Sequence, residues 1–199
     1  ALGFSLAVYV VRLSASAFTV FSGGFAGSGL EVVLLLGVQV LYGSLYQQLG
    51  LVVTVFMAGL AAGAWIGGRQ GSRAGRRRLA SVAFALAIYG FLLPWMLTAL
   101  GQESPAGMPP WVGQALVALL TAGLALLVGL EFPLACRVER AGARSLASRL
   151  FAADFVGACV GAILAGSMLI PILGVTAACG LAASLNALAG LRLLRGERT

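Results

Sequence analysis

Apolar positions in this chain come in six long runs separated by short polar breaks, not in the alternating pattern of strands. The runs cover 18–42, 50–67, 79–100, 112–135, 150–170 and 174–194. Most are 17–25 residues long, the length a helix needs to cross a bilayer core of about 30 Å. Irregular backbone and open sheet edges cannot face lipid, so each run is predicted to be a transmembrane helix. The alternation of an outer-membrane barrel is missing. The predicted fold class is an all-α integral membrane protein with six spanning helices.

Residues 1–17 stand apart from these runs. ALGFSLAVYVV (1–11) is apolar, but as a helix it would reach only about 16 Å. It reads as the end of a preceding span or as an interfacial segment. Because position 1 is not Met, the expectation is a chain cut from something longer; removal of a signal peptide is the weaker alternative. Residues 195–199 read as a polar tail.

Composition agrees with the pattern. The 199 residues are 60% hydrophobic and 10% charged, with a mean hydropathy of +1.01. Soluble domains carry about 25% charged residues, and disordered chains carry even less apolar character. Both classes are excluded. Seven or eight spans are the most that this length holds, which leaves little room for a soluble catalytic domain.

Charge adds orientation. All 13 basic residues are Arg, and against six acids they give a net charge of +7. In a soluble protein the pI near 10.4 would point to nucleic acid. Here Arg12 precedes the first run. Arg69, Arg73 and Arg76 to Arg78 lie between runs two and three. Arg137, Arg140, Arg144 and Arg149 lie between runs four and five, and Arg192, Arg195 and Arg198 close the chain. Six spans place all of them on one side, and the other connections hold none. By the positive-inside rule both termini are predicted in the cytoplasm. Tyr42, Tyr46, Trp95 and Trp111 then fall near the outer interface and Trp65 near the inner one. Nucleic acid is not needed as a partner. The loop GGRQGSRAGRRR reads first as a topology signal, with a patch for anionic lipid or an acidic partner as the alternative.

Small residues form stripes on two runs: Gly59, Gly63 and Gly67 on the second, Gly157 and Gly161 on the fifth, with Gly23 and Gly27 on the first. Spacing of four lets another helix backbone approach closely. Packing within the six-helix bundle and contact with a partner subunit both fit these stripes.

Few groups offer chemistry. There is no His, and Cys136, Cys159 and Cys179 show no metal or redox spacing. The cysteines read as small buried residues. No catalytic set, metal site or cofactor motif is present, although lipid, quinone or pigment could dock in apolar grooves. Four intramembrane polar residues remain. Glu31 lies mid-span, where an ionised carboxylate costs about 2.5–3.5 kcal/mol by insertion scales, so it must be neutral, paired or hydrated. Asn186 is a possible hydrogen-bond partner for it. Glu131 and Asp154 lie at similar depth near the inner ends of runs four and five, within plausible reach of Arg137 and Arg149, and read as structural ion pairs. Pro94, Pro133 and Pro171 can kink or end helices; Pro171 with Gly174 is predicted to make a tight outer turn.

SGGFAGSGLEVVLLLGVQVLYGSLYQQLGLVVTVFMAGLAAGAWIGGR and GLEFPLACR…ASRLFAADFVGACVGAILAGSMLIPILG resemble the membrane part of bacterial spermidine synthase-like proteins. The resemblance runs over most of 18–194 and rests on Glu31, the FMAGLAAGA helix, EFPLA, the Asp154 segment and the Ile170-Pro171…Gly174 turn. It implies a multi-pass domain similar to one six-helix half of the major facilitator superfamily. That superfamily's loop between its second and third helices resembles GRQGSRAGRRR (68–78), with Ser72 standing where the usual pattern has Asp. In that fold the second and fifth helices face the other half, which would give the glycine stripes a partner. Family members can carry a cytosolic aminopropyltransferase domain that binds decarboxylated S-adenosylmethionine. The longest cytoplasmic loop here, about a dozen residues, cannot house one.

Three functions follow as expectations. The first is a non-catalytic membrane domain or subunit of a larger membrane complex. The second is half of a secondary transporter using Glu31 as a proton or substrate site. The third is the anchor of an aminopropyltransferase-like enzyme whose catalytic domain lies outside this chain. The expected partners are the lipid bilayer and other membrane subunits or a second six-helix half.

Overall fold

A computed structural model describes residues 8–42, 46–69, 75–102, 110–139 and 143–195. Six helices dominate it: α1 (Ala15–Tyr42), α2 (Tyr46–Arg69), α3 (Arg76–Gln102), α4 (Pro110–Val138), α5 (Ala143–Leu164) and α6 (Val175–Arg195), with a π-helical segment, Ala165–Leu173, continuing α5. Each of the six is long and apolar enough to cross a membrane, and no strand occurs among the described residues. Residues 8–11 form one further helical turn. Residues 1–7 of the predicted leading segment lie outside the described residues, as do Ser72 and 196–199.

The helices outrun the apolar windows that predicted them. Arg76 to Arg78 make the first turn of α3, Arg137 sits in the last turn of α4, and Arg192 and Arg195 sit in the last turn of α6. Hydropathy marks where lipid begins, not where helical hydrogen bonding stops. At its ends a membrane helix continues through polar residues into the interface.

Pro171 corrects one expectation. It lies inside the π-helical segment instead of in a tight turn. The wider π geometry gives room for a proline ring that would press on the carbonyl of residue i−4 in an α-helix. The chain reverses only at Gly174, whose φ of 84° suits glycine, and its N–H donates to the carbonyl of Ile170 at 3.1 Å. Pro94 and Pro133 likewise lie within α3 and α4 and end neither helix.

Neighbouring contacts give the directions. Gly157 and Gly161 of α5 abut the backbone at Phe21 and Phe25 of α1, so α1 and α5 run parallel. Gly63 and Gly67 of α2 abut Leu126 and Leu130 of α4, again in parallel. Gly23 and Gly27 of α1 meet Glu131 and Val128, which makes α1 and α4 antiparallel. The third close pair, α3 with α6, is antiparallel, with Gly90 near Cys179 and Gly190 near Phe84.

These pairs form a pattern. Exchanging α1, α2 and α3 for α4, α5 and α6 turns the α1/α5 seam into the α4/α2 seam and returns α3/α6 to itself. The correspondence holds residue by residue. Gly157 on Phe21 matches Gly63 on Leu126, Gly161 on Phe25 matches Gly67 on Leu130, and Gly24 on Asp154 matches Gly129 on Leu60. The chain is therefore two three-helix units of opposite direction interleaved by small-residue seams, as in inverted repeats.

Helix α1 is the centre. Two-thirds (67%) of its span is buried within the protein, against 17% for the α5 span and 22% for α2. The outer helices turn large side chains outward, among them Met57, Phe91, Trp95, Phe155, Ile163 and Ile172. Apolar exposure on this scale would be unstable in water and is what lipid solvates. The core proper gathers Phe25, Leu30, Leu34, Phe56, Leu86, Leu93 and Leu124 from four helices.

Candidate functional site

One turn of α1, Ser22-Gly23-Gly24, collects polar side chains from three other helices. Glu131 of α4 lies against Gly23: a Cβ there would coincide with the Glu131 carboxylate. Asp154 of α5 lies against Gly24, where a Cβ would be 2.7 Å from Oδ1. Asn186 of α6 donates from Nδ2 to the Ser22 carbonyl at 3.2 Å and to the Ala182 carbonyl at 2.9 Å. The diglycine exists for this approach. Only a residue without a side chain leaves space for two acids on adjacent sides of one helix turn.

The site is deep. Glu131 is 2% exposed and Asn186 is fully buried. Both carboxylate oxygens of Glu131 and Oδ1 of Asn186 have no hydrogen-bond partner. Asp154 is half-buried and within electrostatic reach of Glu131. Thr19 and Ser22, also buried, spend their hydroxyls on carbonyls one turn back in their own helix. An unpartnered carboxyl is costly in so dry a place. The chemistry it offers is to take a proton or a cation, with the Asn186 carbonyl oxygen as a second acceptor on the same turn.

Two pairings differ from expectation. Asn186 bonds the α1 backbone at Ser22 and not Glu31. Ser22 and Glu31 are nine residues apart, about 13 Å along a helix, so depth alone was a poor guide. Glu31 is half-buried and makes no hydrogen bond or ion pair among the described residues. Nor do arginines neutralise the acid pair. The Arg137 guanidinium donates instead to the carbonyl of Gly68 at the end of α2, and Arg149 lines a separate cavity with Arg12 and Glu139. Arginines one to two turns nearer the helix end reach outward to the interface, where a guanidinium keeps its water.

The glycine stripes are occupied inside the chain. Gly59, Gly63 and Gly67 lie against Ala125, Leu126 and Pro133 of α4, and Gly157 and Gly161 against α1. A partner would therefore meet other faces of α2 and α5. Cys179 is buried and Cys136 half-buried, but Cys159 is exposed on α5, contrary to the reading of all three as interior. No group of three potential metal ligands occurs among the described residues.

Sequence reasoning missed Gly24 and Glu139. Gly23-Gly24 is the one diglycine in the apolar part of α1, and two acids at matching depth on later helices were the available signal. Glu139 accepts hydrogen bonds from Ser14 and, at 2.8 Å, from Ser16. The serines flanking Ala15 at the start of α1 hinted at capping, not at a carboxylate from a distant loop.

The arginine-bearing helix ends lie together. Arg137 reaches the end of α2, and Arg192 at the end of α6 stacks over Phe18 at the start of α1, 4.4 Å from the ring centre. Arg69 covers Trp65 at 3.9 Å. Trp65 is exposed, whereas Phe18 is buried; an outward-facing Trp and basic residues at one level mark a membrane interface.

Comparison with known proteins gives one relative of note. The chain is 30% identical over 201 aligned positions to polyamine aminopropyltransferase 2 of Streptomyces coelicolor. The alignment covers 94% of this chain and 35% of that protein, so the chain spans about a third of its relative's length. No family model and no solved structure matches.

Proposed function

We propose that this chain is the membrane domain of an aminopropyltransferase-like protein. Its six spans insert and orient a larger assembly in a bacterial cytoplasmic membrane, and aminopropyl transfer to a polyamine is carried out by a part of the assembly other than these 199 residues. The observation that carries this reading is the lopsided similarity, which takes in nearly all of the chain but only 35% of the aminopropyltransferase. The crowding of arginine-bearing helix ends supports an orientation with those ends and both termini cytoplasmic. The test is purification from native membranes in mild detergent with a tag on α6. Aminopropyltransferase activity, or a polypeptide bearing it, should co-purify. A lone chain without that activity would contradict the reading.

A second reading has its own support. The interleaved seams match what a facilitator-like half would show, and Glu131, Asp154 and the free carbonyl oxygen of Asn186 form an acidic site in its centre. In this reading the chain is half of a secondary transporter, with Glu31 or Glu131 taking the proton or cationic substrate. Glu31→Gln or Glu131→Gln, whichever removes the coupled carboxyl, would abolish uptake in vesicles while leaving the protein folded. Normal uptake in both variants would sink the coupling role.

A further inference from the structure

Where the arginine-bearing helix ends meet, the bundle holds a cavity of about 350 Å³. Arg12, ahead of α1, Glu139, just past α4, and Arg149 on α5 line it, with Leu13 and Leu150 as apolar wall. We propose that this cavity binds a phospholipid headgroup, with the phosphate between Arg12 and Arg149 and an amine at Glu139.

Two observations and one electrostatic argument carry the assignment. No ion pair joins either arginine to a carboxylate among the described residues, although Glu139 lines the same cavity. Two guanidiniums in one cavity repel each other and are relieved by an anion that both can grip, for which phosphate oxygens have the right geometry. Glu139 is held by design: its Oε1 takes the hydroxyls of both Ser14 and Ser16, which leaves the other oxygen to a ligand.

Position selects the source. The cavity sits at the level where α1 begins and α4 ends, the depth of lipid phosphates, and basic pockets between helices at that depth suit headgroups. Its volume falls within the usual range for small-ligand sites. Two positive groups and one negative group fit a headgroup carrying phosphate and ammonium. Phosphatidylglycerol carries the same phosphate but ends in neutral hydroxyls, which give Glu139 no cation to pair with. The ligand is therefore phosphatidylethanolamine in preference to phosphatidylglycerol.

Native mass spectrometry of the detergent-purified chain tests this with three probes: phosphatidylethanolamine, phosphatidylglycerol and soluble O-phosphoethanolamine. The wild type should retain phosphatidylethanolamine best. Arg12 and Arg149 are exposed, so the double variant Arg12→Gln/Arg149→Gln should fold and lose about thirtyfold in retention. Glu139→Gln, which can still accept from the two serines, should keep lipid but lose the preference for the amine headgroup. Arg195→Gln, a charge removed elsewhere on the same end, should change nothing. Undiminished retention by the double variant would overturn the proposal. So would an equal loss in Arg195→Gln, which would mean general attraction to charge, and so would O-phosphoethanolamine occupying the site as well as the lipid, which would mean a soluble ligand.

Discussion

The α1/α5 and α2/α4 seams are built alike and furnished differently. In both, two glycines four residues apart lie on the backbone of a parallel helix, and a glycine of that helix lies on the first. At the matching position one seam has Leu60 and the other has Asp154, and Glu131 closes in on the acid seam from α4. The apolar seam shows that this helix crossing needs no carboxylate. Small residues and dispersion are enough to hold parallel helices in lipid, where water gives no hydrophobic drive. The acids of the α1/α5 seam are thus additions to a scaffold that would stand without them, and a buried, unpartnered acid such as Glu131, which the fold does not need, is a candidate for function.

Breaking the shared architecture should give the largest effect. Gly161→Leu and Gly63→Leu place a side chain against a partner backbone that cannot yield, at the upper end of or beyond the usual overpacking cost of about 1–3 kcal/mol. Both should reduce the folded fraction in detergent to a similar degree, as read by thermal unfolding on size exclusion. Loss in only one would show that the seams are not equivalent. Exchanging the furnishings comes next. Leu60→Asp should destabilise by about 2.5 kcal/mol, whereas Asp154→Leu, which copies the apolar seam, should be neutral or stabilising.

Glu131→Leu sharpens the same point. Replacing an unpartnered buried carboxyl by an apolar group of similar size should raise stability by about 1 kcal/mol, measured by the same unfolding assay. A marked loss would mean that Glu131 is a structural donor. The smallest loss of stability belongs to Asn186→Ala, which removes a side-chain hydrogen bond to the α1 backbone at Ser22. In membrane proteins such bonds average about 0.6 kcal/mol.

These contrasts also show what could be read from the chain. The six spans are legible because hydropathy over about 20 residues is a strong local signal, whereas helix ends are not, because helices continue through arginines such as Arg76 and Arg137. That Glu131 and Asp154 share a depth was legible from span direction. Their neighbours were not. Depth offers Glu31 as a partner for Asn186, which meets Ser22 instead, and offers Arg137 and Arg149 to the acid pair, yet Arg149 lines the cavity with Arg12. Depth fixes one coordinate of a membrane residue, but rotation about the helix axis and the order of helices fix who meets whom. The glycine stripes told that backbones approach closely without telling which, and only the assembled bundle pairs Gly157 with Phe21. The π-helical segment around Pro171 had no local signature beyond the proline itself, which fits a turn equally well.

Cell fractionation tests the membrane-domain reading most directly. In cells expressing the native full-length protein, aminopropyl transfer should pellet with membranes, and it should move to the soluble fraction when residues 15–195 are deleted. Activity that stays in the membrane pellet after that deletion, or the absence of aminopropyl transfer from cells with the intact protein, would contradict it.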